Sequence, residues 1–371
     1  MDRLLSLPVI DAHVHIKDTF TGLKEMFSDM RRAYKASGFQ GICFVSDPSA
    51  GRPHLHKNLL CMLYKLMYPE DTVYIFAGLD YHIPGTSHEN YGFEKQARIL
   101  DEIGVDGFKM YEGKGSARKL TGSIPLDSDA YAGFFGYVEA AGLPVAMHLA
   151  DPGYFWEVDK CSAGVHNSGW FFGDMTFTPR EVVKNEILNL LDRHRRLKMI
   201  IPQMGYYLPD YASLEELLQK YATLYFDIGP TGEFYETVES HYGATAEFFK
   251  KYCKRLVFGC TGVPPQDMKG SPEKAGLLYK ILETGEKINH GKTAVCGLSL
   301  NKSVLEPIYC SNFESIAGKP RRLDPDKVME YCDFIRDKLE RCPDGVPELD
   351  RMKVRVKEIY KLLSDVTTVK E

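Results

Sequence analysis

The feature that most constrains this chain is a short apolar run that recurs eight times, each time followed by a stretch with helical spacing. The runs are rich in valine, isoleucine, phenylalanine and tyrosine, which favour strands. They occupy Val9–Ile16, Gln40–Asp47, Thr72–Asp80, Gly107–Glu112, Leu143–Asp151, Leu197–Gly205, Leu224–Pro230 and Arg255–Gly262. Strands that alternate with helices pair in parallel through helical crossovers. Eight such units predict an α/β fold, a (β/α)8 TIM barrel.

The chain continues well beyond its eighth unit. Two amphipathic stretches near Asp324–Arg341 and Pro347–Ser364 predict extra C-terminal helices. Barrels of this kind often exceed the usual size of one domain. We therefore expect a single domain over residues 1–371, with a barrel at about 8–320 and helices at about 321–371 packed on it.

Composition excludes several classes of partner. The 46 Lys and Arg against 51 Asp and Glu give a net charge of -5, so nucleic-acid binding is not expected. No apolar run reaches the length of about 20 residues that a membrane helix needs. The start of the chain lacks the pattern of a signal peptide, and the nine cysteines form no CxxC pair, which favours reduced thiols. We expect a cytoplasmic protein with a small-molecule substrate, and homo-oligomerisation stays open.

The first strand carries an unusual polar pattern. Alternation places Asp11, His13 and His15 on one face and apolar residues on the other. Active sites of such barrels lie where the strands end, and two imidazoles two residues apart suit a divalent metal. The alternative is a pair of hydrogen-bonded core histidines, but the position at the end of strand one favours a metal site.

Three further strands add polar side chains to the same expected centre. His148 lies near the end of strand five, and Asp227 on strand seven is predicted to point inward. Lys109 ends strand four, with Tyr111 on its face as a candidate substrate contact. Lys109 is able to carry a metal-binding carbamate or to bind an anionic substrate. Pairing of Lys109 with Asp227 or Asp11 is an equal alternative.

Two loops after the strands hold candidate substrate contacts. His54 follows strand two on the expected catalytic edge, although a solvated loop histidine is the plainer interpretation. Asp151 ends strand five and precedes an irregular stretch, Pro152–Phe177, that is unusually long for a compact barrel. Its aromatic residues predict a lid above His148; they are Trp156, Trp170, Phe171 and Phe172.

Together these motifs resemble the metal-dependent amidohydrolase superfamily. The likeness is strongest to its amidohydrolase 2 branch, the group related to aminocarboxymuconate semialdehyde decarboxylase. Val9–His15 resembles the opening motif of that branch, and His148–Pro152 followed by Phe155 and Trp156 resembles its strand-five motif. Tyr225–Ile228 and Ile308–Phe313 are similar to its seventh strand and closing helix.

The resemblance implies one divalent metal ion, with zinc expected, held by His13, His15 and His148. Two family positions differ in this chain. Gln203 stands where the family has a strand-six histidine that helps to activate water, and Thr261 stands where it has the strand-eight aspartate that binds the metal. Both changes fall on groups that process the water, so Lys109 and Asp227 join Gln203 and Thr261 as candidate catalytic residues.

These features predict a metal-dependent hydrolase that attacks a small amide, lactone or carboxylate substrate with a metal-bound water. Asp227 or Asp151 would then take the proton of that water. One alternative is a non-oxidative decarboxylase of a small carboxylic acid, which also needs the metal. Another is a barrel that has lost catalysis and binds a ligand or a partner.

Overall fold

Eight strands form the centre of the molecule, whose computed structural model describes residues 5–46, 56–81, 92–149, 151–167, 169–260, 270–290 and 293–368. They pair in parallel and in chain order as one sheet. They are β1 Ile10–His15, β2 Gly41–Val45, β3 Thr72–Gly78, β4 Gly107–Met110, β5 Val145–Met147, β6 Met199–Ile201, β7 Leu224–Asp227 and β8 Leu256–Val257. The Ala12 N–H donates to the Phe258 carbonyl at 2.9 Å, which joins β1 to the end of β8. The predicted TIM barrel, nearly closed, is confirmed.

Helices surround this barrel and continue past it. They are α1 Leu23–Ala36, α2 His56–Met67, α3 Phe93–Ile103, α4 Gly115–Leu120, α5 Asp129–Ala141, α6 Ala163–Asn167, α7 Arg180–Arg193, α8 Tyr211–Lys220, α9 Gly232–Ser240, α10 Tyr242–Tyr252, α11 Gly270–Glu283, α12 Lys302–Glu306, α13 Asn312–Ala317, α14 Pro325–Glu340 and α15 Pro347–Thr368. A small antiparallel pair, β9 Lys287–His290 and β10 Thr293–Cys296, lies outside the barrel sheet. Within the described segments, no helix combines the length and apolarity needed to cross a bilayer.

Apolar side chains fill the barrel from one end. The inner core includes Ile10, Tyr74, Phe76 and Val257. Phe313 of α13 enters it, with its ring 5.0 Å from that of Tyr74 and 5.9 Å from that of Phe76. A larger outer core packs between the strands and the helices. Polar side chains are therefore left to the other end of the barrel, where the strands finish.

The alternation predicted for β1 is broken by a bulge. The pairing of β1 with β2 shifts its register between Asp11 and Val14. Ala12 belongs to the inner core, whereas Val14 belongs to the outer one. Asp11 lies in the outer layer too, in a small cavity beside Met30 and Tyr34 of α1. The expectation that Asp11 shares a face with the two histidines is therefore wrong, because an extra residue in a bulge changes the side that later residues face.

All eight strands are shorter than predicted, and in β5 and β6 this changes how the polar residues are held. β5 ends at Met147 and β6 at Ile201, so His148 and Gln203 lie on the segments that follow. Gln203 has a φ of 57°, and Met204 and Gly205 continue in the same left-handed region. Left-handed backbone cannot continue a strand, so the chain turns sharply at the end of β6.

The C-terminal helices contact the segment that follows β1 and the helix α2. Arg355 of α15 donates from Nη2 to Oδ1 of Asp18 at 2.7 Å, and both side chains are about 3% exposed. Glu358 accepts a hydrogen bond from the Leu23 N–H at 3.1 Å. Asn58 of α2 donates to the Tyr331 hydroxyl of α14 at 3.2 Å. The segment that follows β1 is therefore fixed to α15.

Candidate active site

The two histidines of β1 meet at the end of the strand. Their Nε2 atoms lie 3.1 Å apart and their ring centroids 4.9 Å apart. His13 is buried, and His15 is partly exposed. The bulge before Val14 keeps the two histidine rings together at the end of the strand. Asp11 is not part of this group, because its side chain lies in the outer layer.

Asp227 of β7 orients His13. Its Oδ2 lies 2.7 Å from Nδ1 of His13, and its Oδ1 accepts hydrogen bonds from the N–H groups of Gln203 at 2.6 Å and Gly229 at 2.9 Å. Burial, followed by the charge of Lys109, lowers the pKa of His13 to about 3. His13 is therefore neutral near pH 7, with the proton on Nδ1 and the lone pair of Nε2 directed at His15. Both oxygens of Asp227 are engaged.

Tyr111 lies between His15 and His148. Its ring centroid is 6.1 Å from that of His15 and 5.5 Å from that of His148, with nearly parallel planes in both pairs. Its hydroxyl is 3.1 Å from Nδ1 of His15. The Lys109 ammonium lies 5.0 Å from the centre of the Tyr111 ring and is fully buried. The prediction from strand alternation, that Lys109 and Tyr111 face the centre, is consistent with these contacts.

His148 stands at the end of β5 against the backbone of the β4 loop. A Cβ on Gly113 would come within 1.4 Å of the His148 carbonyl oxygen, so only glycine fits there. Burial, then the charges of Lys114 and Lys109, lowers the pKa of His148 well below its usual value. Its buried Nδ1 makes no hydrogen bond with the described residues. A neutral imidazole with an unused nitrogen is a potential metal ligand.

The donor chemistry of these residues fits a divalent metal, although the grouping is not closed. His13 and His15 offer adjacent nitrogens, and the carboxylate behind His13 is the support that metal-binding histidines usually have. The ring of His148 lies 6.2 Å from that of His13 between centroids. Among the described residues, no three His, Cys, Asp or Glu side chains are close enough together to hold an ion. Thr261, which the resemblance places at this site, lies outside them.

A cleft of about 600 Å³ opens among the segments that follow the strands. The three histidines are not in its lining, but Lys114 is, and its ammonium lies 5.7 Å from the centre of the Tyr111 ring. The walls of the cleft come from the segments after four neighbouring strands: Lys114 after β4, Asp151 after β5, Tyr206 after β6 and Glu233 after β7. Asp151 is buried and accepts a hydrogen bond from the Gly115 N–H at 2.8 Å. Burial raises the pKa of Asp151, and the ammonium of Lys114 opposes this shift. The cleft is where a barrel of this kind binds its substrate.

Part of the aromatic segment covers this cleft. Trp170 and Phe172 line it, and Trp156 packs on Phe172 with ring centroids 5.0 Å apart. Phe171 instead stacks on His166 at 5.3 Å. The long loop predicted after strand five contains a short 3₁₀ turn, Gly153–Trp156, and the helix α6. Of the four aromatic residues of the predicted lid, Trp170 and Phe172 form part of the cleft wall, whereas Trp156 and Phe171 do not line it.

The other predicted residues are distributed unevenly. Gln203 reaches the site through its backbone, while its side-chain oxygen accepts a hydrogen bond from the Tyr206 hydroxyl. Trp156 lies behind the aromatic wall rather than in the cleft lining. His54, like Thr261, lies outside the described residues.

Several cleft residues gave no signal in the sequence. Lys114, Tyr206, Glu233 and Glu236 follow strands rather than lie in them, so strand alternation does not reach them. The available signal was their position in the segments just after the strands, because those loops form the active site in barrels of this kind. Tyr206 also follows the left-handed turn of Gln203, a backbone conformation that an alternating pattern does not predict.

A parallel eight-stranded barrel with polar residues at the strand ends defines an enzyme-like α/β barrel. The sequence model for an amidohydrolase family, of the amidohydrolase 2 type, matches residues 10–293, and this chain belongs to that family. No curated protein matches the chain closely enough to be identified as a relative.

Solved structures support the fold. An uncharacterised TIM-barrel protein from Bordetella bronchiseptica has a TM-score of 0.52 at 12% identity, covering 84% of this chain and 100% of that one. The 5-carboxyvanillate decarboxylase of Sphingomonas paucimobilis has a TM-score of 0.51 at 11% identity, with coverage of 85% and 100%. An amidohydrolase described as putative, from Staphylococcus aureus, has a TM-score of 0.50 at 14% identity, with coverage of 84% and 100%. At these identities the likeness shows the fold alone.

Proposed function

We propose that this chain is a metal-dependent hydrolase that acts on a small amide, lactone or carboxylate substrate. The observation that carries the proposal is the His13–His15 pair, with Nε2 atoms 3.1 Å apart and a carboxylate 2.7 Å behind His13. Such a carboxylate fixes the tautomer that presents Nε2 to an ion. His148 supplies the third imidazole, and ion binding would draw its ring toward the pair.

The residues of the chain then have separate tasks. A divalent ion, zinc by expectation, supplies a polarised carbonyl and a water of lowered pKa when it is bound. His13, His15 and His148 would hold the ion, and Asp227 fixes the orientation of the His13 ring. Asp151 is the better of the two proposed proton acceptors, because Asp227 already accepts from His13 and from two N–H groups. Gly115 contacts only Oδ2 of Asp151.

Non-oxidative decarboxylation is the second candidate, and a specific observation favours it. The ammonium groups of Lys109 and Lys114 lie 5.0 and 5.7 Å from the centre of the Tyr111 ring, beside the histidines. Two positive charges at this place attract a substrate carboxylate. Lys109 is buried beside Tyr111, and its ammonium would protonate the carbon that loses carbon dioxide.

The test is a metal titration combined with a substrate panel. Protein purified without chelator is analysed for metal content, stripped, and titrated with zinc. We expect about one ion per chain, lost in His13→Ala and His148→Ala and kept in His166→Ala, a change in the exposed aromatic loop. Wild-type protein that binds no divalent ion would overturn the proposal.

Amides, lactones and aromatic acids then separate the reactions. Hydrolysis predicts that Asp151→Asn loses turnover but keeps its metal. Decarboxylation predicts that Lys109→Met loses turnover while Asp151→Asn keeps most of it. A protein that binds metal but converts none of these compounds would instead support the barrel that has given up catalysis.

A further inference from the structure

The cleft that Lys114 and Asp151 line has a basic side and an acidic side. Lys114 stands on the basic side, where its charge lowers the pKa of His148. Glu233 and Glu236, three residues apart in α9, form the acidic side. Lys160 also lines the cleft, but its ammonium is 2.5 Å from a carboxylate oxygen of Glu157. The charge of Lys160 is therefore already balanced.

The acidic side is not neutralised by the described part of the chain. No ion pair or hydrogen bond joins the Glu233 carboxylate to a basic side chain there, and only the more distant charge of Arg180 favours its ionised form. Burial, followed by the charge of Glu236, raises the pKa of Glu233 to about 7. A half-buried carboxylate beside a second carboxylate is stabilised when a cation binds between them.

Aromatic side chains line the same cleft as these two carboxylates. Tyr154 lines the cleft with both carboxylates, and burial, followed by the charges of Glu233 and Glu236, raises its pKa. Tyr206 lines the cleft too, and burial, followed by the charges of Asp151 and Glu233, raises its pKa. Trp170 lines the same cleft and is 51% exposed. A cleft lined by both carboxylates and aromatic faces is suited to organic ammonium groups.

We propose that the cleft selects substrates that carry a protonated or quaternary amine, held between Glu233 and Glu236 against Tyr154 and Trp170. This inference rests on the proposed function, since it assigns the substrate class of the same site. The amine lies on the α9 side, and the rest of the substrate extends past Asp151 and Lys114 toward His148. A volume of about 600 Å³ accommodates a small molecule of this kind.

The chain contains its own reporter for this binding. Its two tryptophans are Trp156 and Trp170. Trp170 lines the cleft, and Trp156 packs on Phe172, which lines it too. Tryptophan emission therefore reports occupancy of the cleft without turnover and without a metal. Phenethylamine is the probe, and 2-phenylethanol, a neutral molecule of nearly the same shape, is its control. The titrations use metal-free protein at about 0.15 M salt, so that weak surface attraction is screened.

We expect saturable emission changes with phenethylamine and binding of 2-phenylethanol that is at least about tenfold weaker. The double variant Glu233→Gln/Glu236→Gln should remove this preference for the amine. Glu239→Gln, on the same helix but outside the cleft lining, should retain it. Equal binding of the two probes to the wild type, or no saturable change with phenethylamine, would overturn the proposal.

These outcomes are separate from those of the metal titration. Amine binding with no metal binding would leave the cation site standing and refute the metal-dependent reaction. The opposite result is metal binding and turnover of substrates without an amine, together with equal binding of the two probes. It would support the metal-dependent reaction and refute the cation site. The comparison of the two probes on the wild type also remains decisive if the double variant does not fold.

Discussion

At the scale of single residues, Asp227 joins the barrel to the histidines. It is buried, and its two oxygens accept from His13, Gln203 and Gly229. A side chain whose oxygens are all hydrogen-bonded acts mainly by orienting its partner, here His13. The effect of Asp227 can therefore be measured as a change in metal affinity rather than in turnover.

We predict that Asp227→Asn weakens zinc binding by about 10- to 100-fold. The amide keeps the size of the side chain but loses the charge that fixes the tautomer of His13. A zinc titration against a competing chelator measures the effect, with Asp159→Asn, an exposed carboxylate, as the matched control. Equal affinity in both variants would mean that His13 does not bind the ion.

Glu112, just after β4, is another buried carboxyl, and its burial affects how stability depends on pH. Burial raises the pKa of Glu112 from 4.5 to about 7. The folded protein therefore holds a proton between these values that the unfolded chain has released, and stability is lost as pH rises through this window. Glu112→Gln removes the effect, because glutamine stays neutral.

We expect Glu112→Gln to raise the free energy of unfolding at pH 8 by up to about 3 kcal/mol relative to wild type, and by much less at pH 5. Urea unfolding at both pH values measures this, with the exposed Glu216→Gln as control. A gain of the same size at both values would show that the carboxyl of Glu112 does not titrate in this range.

At the scale of elements, the end of β5 is held by the loop that follows β4. Gly113 lies so close to the His148 carbonyl that the two segments fit only without a side chain. On the other side, Asp151 accepts from Gly115 at the start of α4. The position of His148 is thus set by the β4 loop as much as by its own strand.

We predict that Gly113→Ala lowers the free energy of unfolding by about 1–3 kcal/mol and weakens zinc binding, because a Cβ there forces the two segments apart. Gly136→Ala is the matched control, since a Cβ on Gly136 within α5 meets nothing within 4 Å. In a helix that change should be neutral or stabilising. Chemical unfolding and zinc titration measure both properties. If the two variants behave alike, the close approach does not occur.

At the scale of the whole molecule, α14 and α15 contact the barrel through buried polar groups. Arg355 is bound to Asp18 in the segment that follows the β1 histidines, and the partners help to lower the pKa of Asp18 to about 2 despite its burial. An ion pair withdrawn from water is costly to break from one side. Unfolding of α15 alone should therefore be unfavourable.

We predict that the chain unfolds in one calorimetric transition, as the single domain expected from its sequence requires. Arg355→Met should lower the free energy of unfolding by about 3–5 kcal/mol. Arg351→Met, an exposed neighbour on the same helix, should change it little. Two separated transitions, with the earlier one sensitive to Arg355→Met, would indicate that the C-terminal helices form a unit of their own.

The sequence by itself determined the order of strands and helices. It also indicated that Lys109 and Asp227 face the histidines, because successive side chains of a regular strand point to opposite faces of the sheet. The pair His13 and His15 was readable for a similar reason. These features depend on spacing along the chain, which is local information.

Only the tertiary structure decided the rest. The bulge that moves Asp11 to the outer layer and the left-handed turn at Gln203 arise because neighbouring strands must pair and close, and no local pattern records that requirement. The engagement of Asp227 and the meeting of Lys114 with Glu233 in one cleft join segments far apart in the chain. Such contacts are set by packing across the barrel, so the sequence could supply the candidate residues but not their partners.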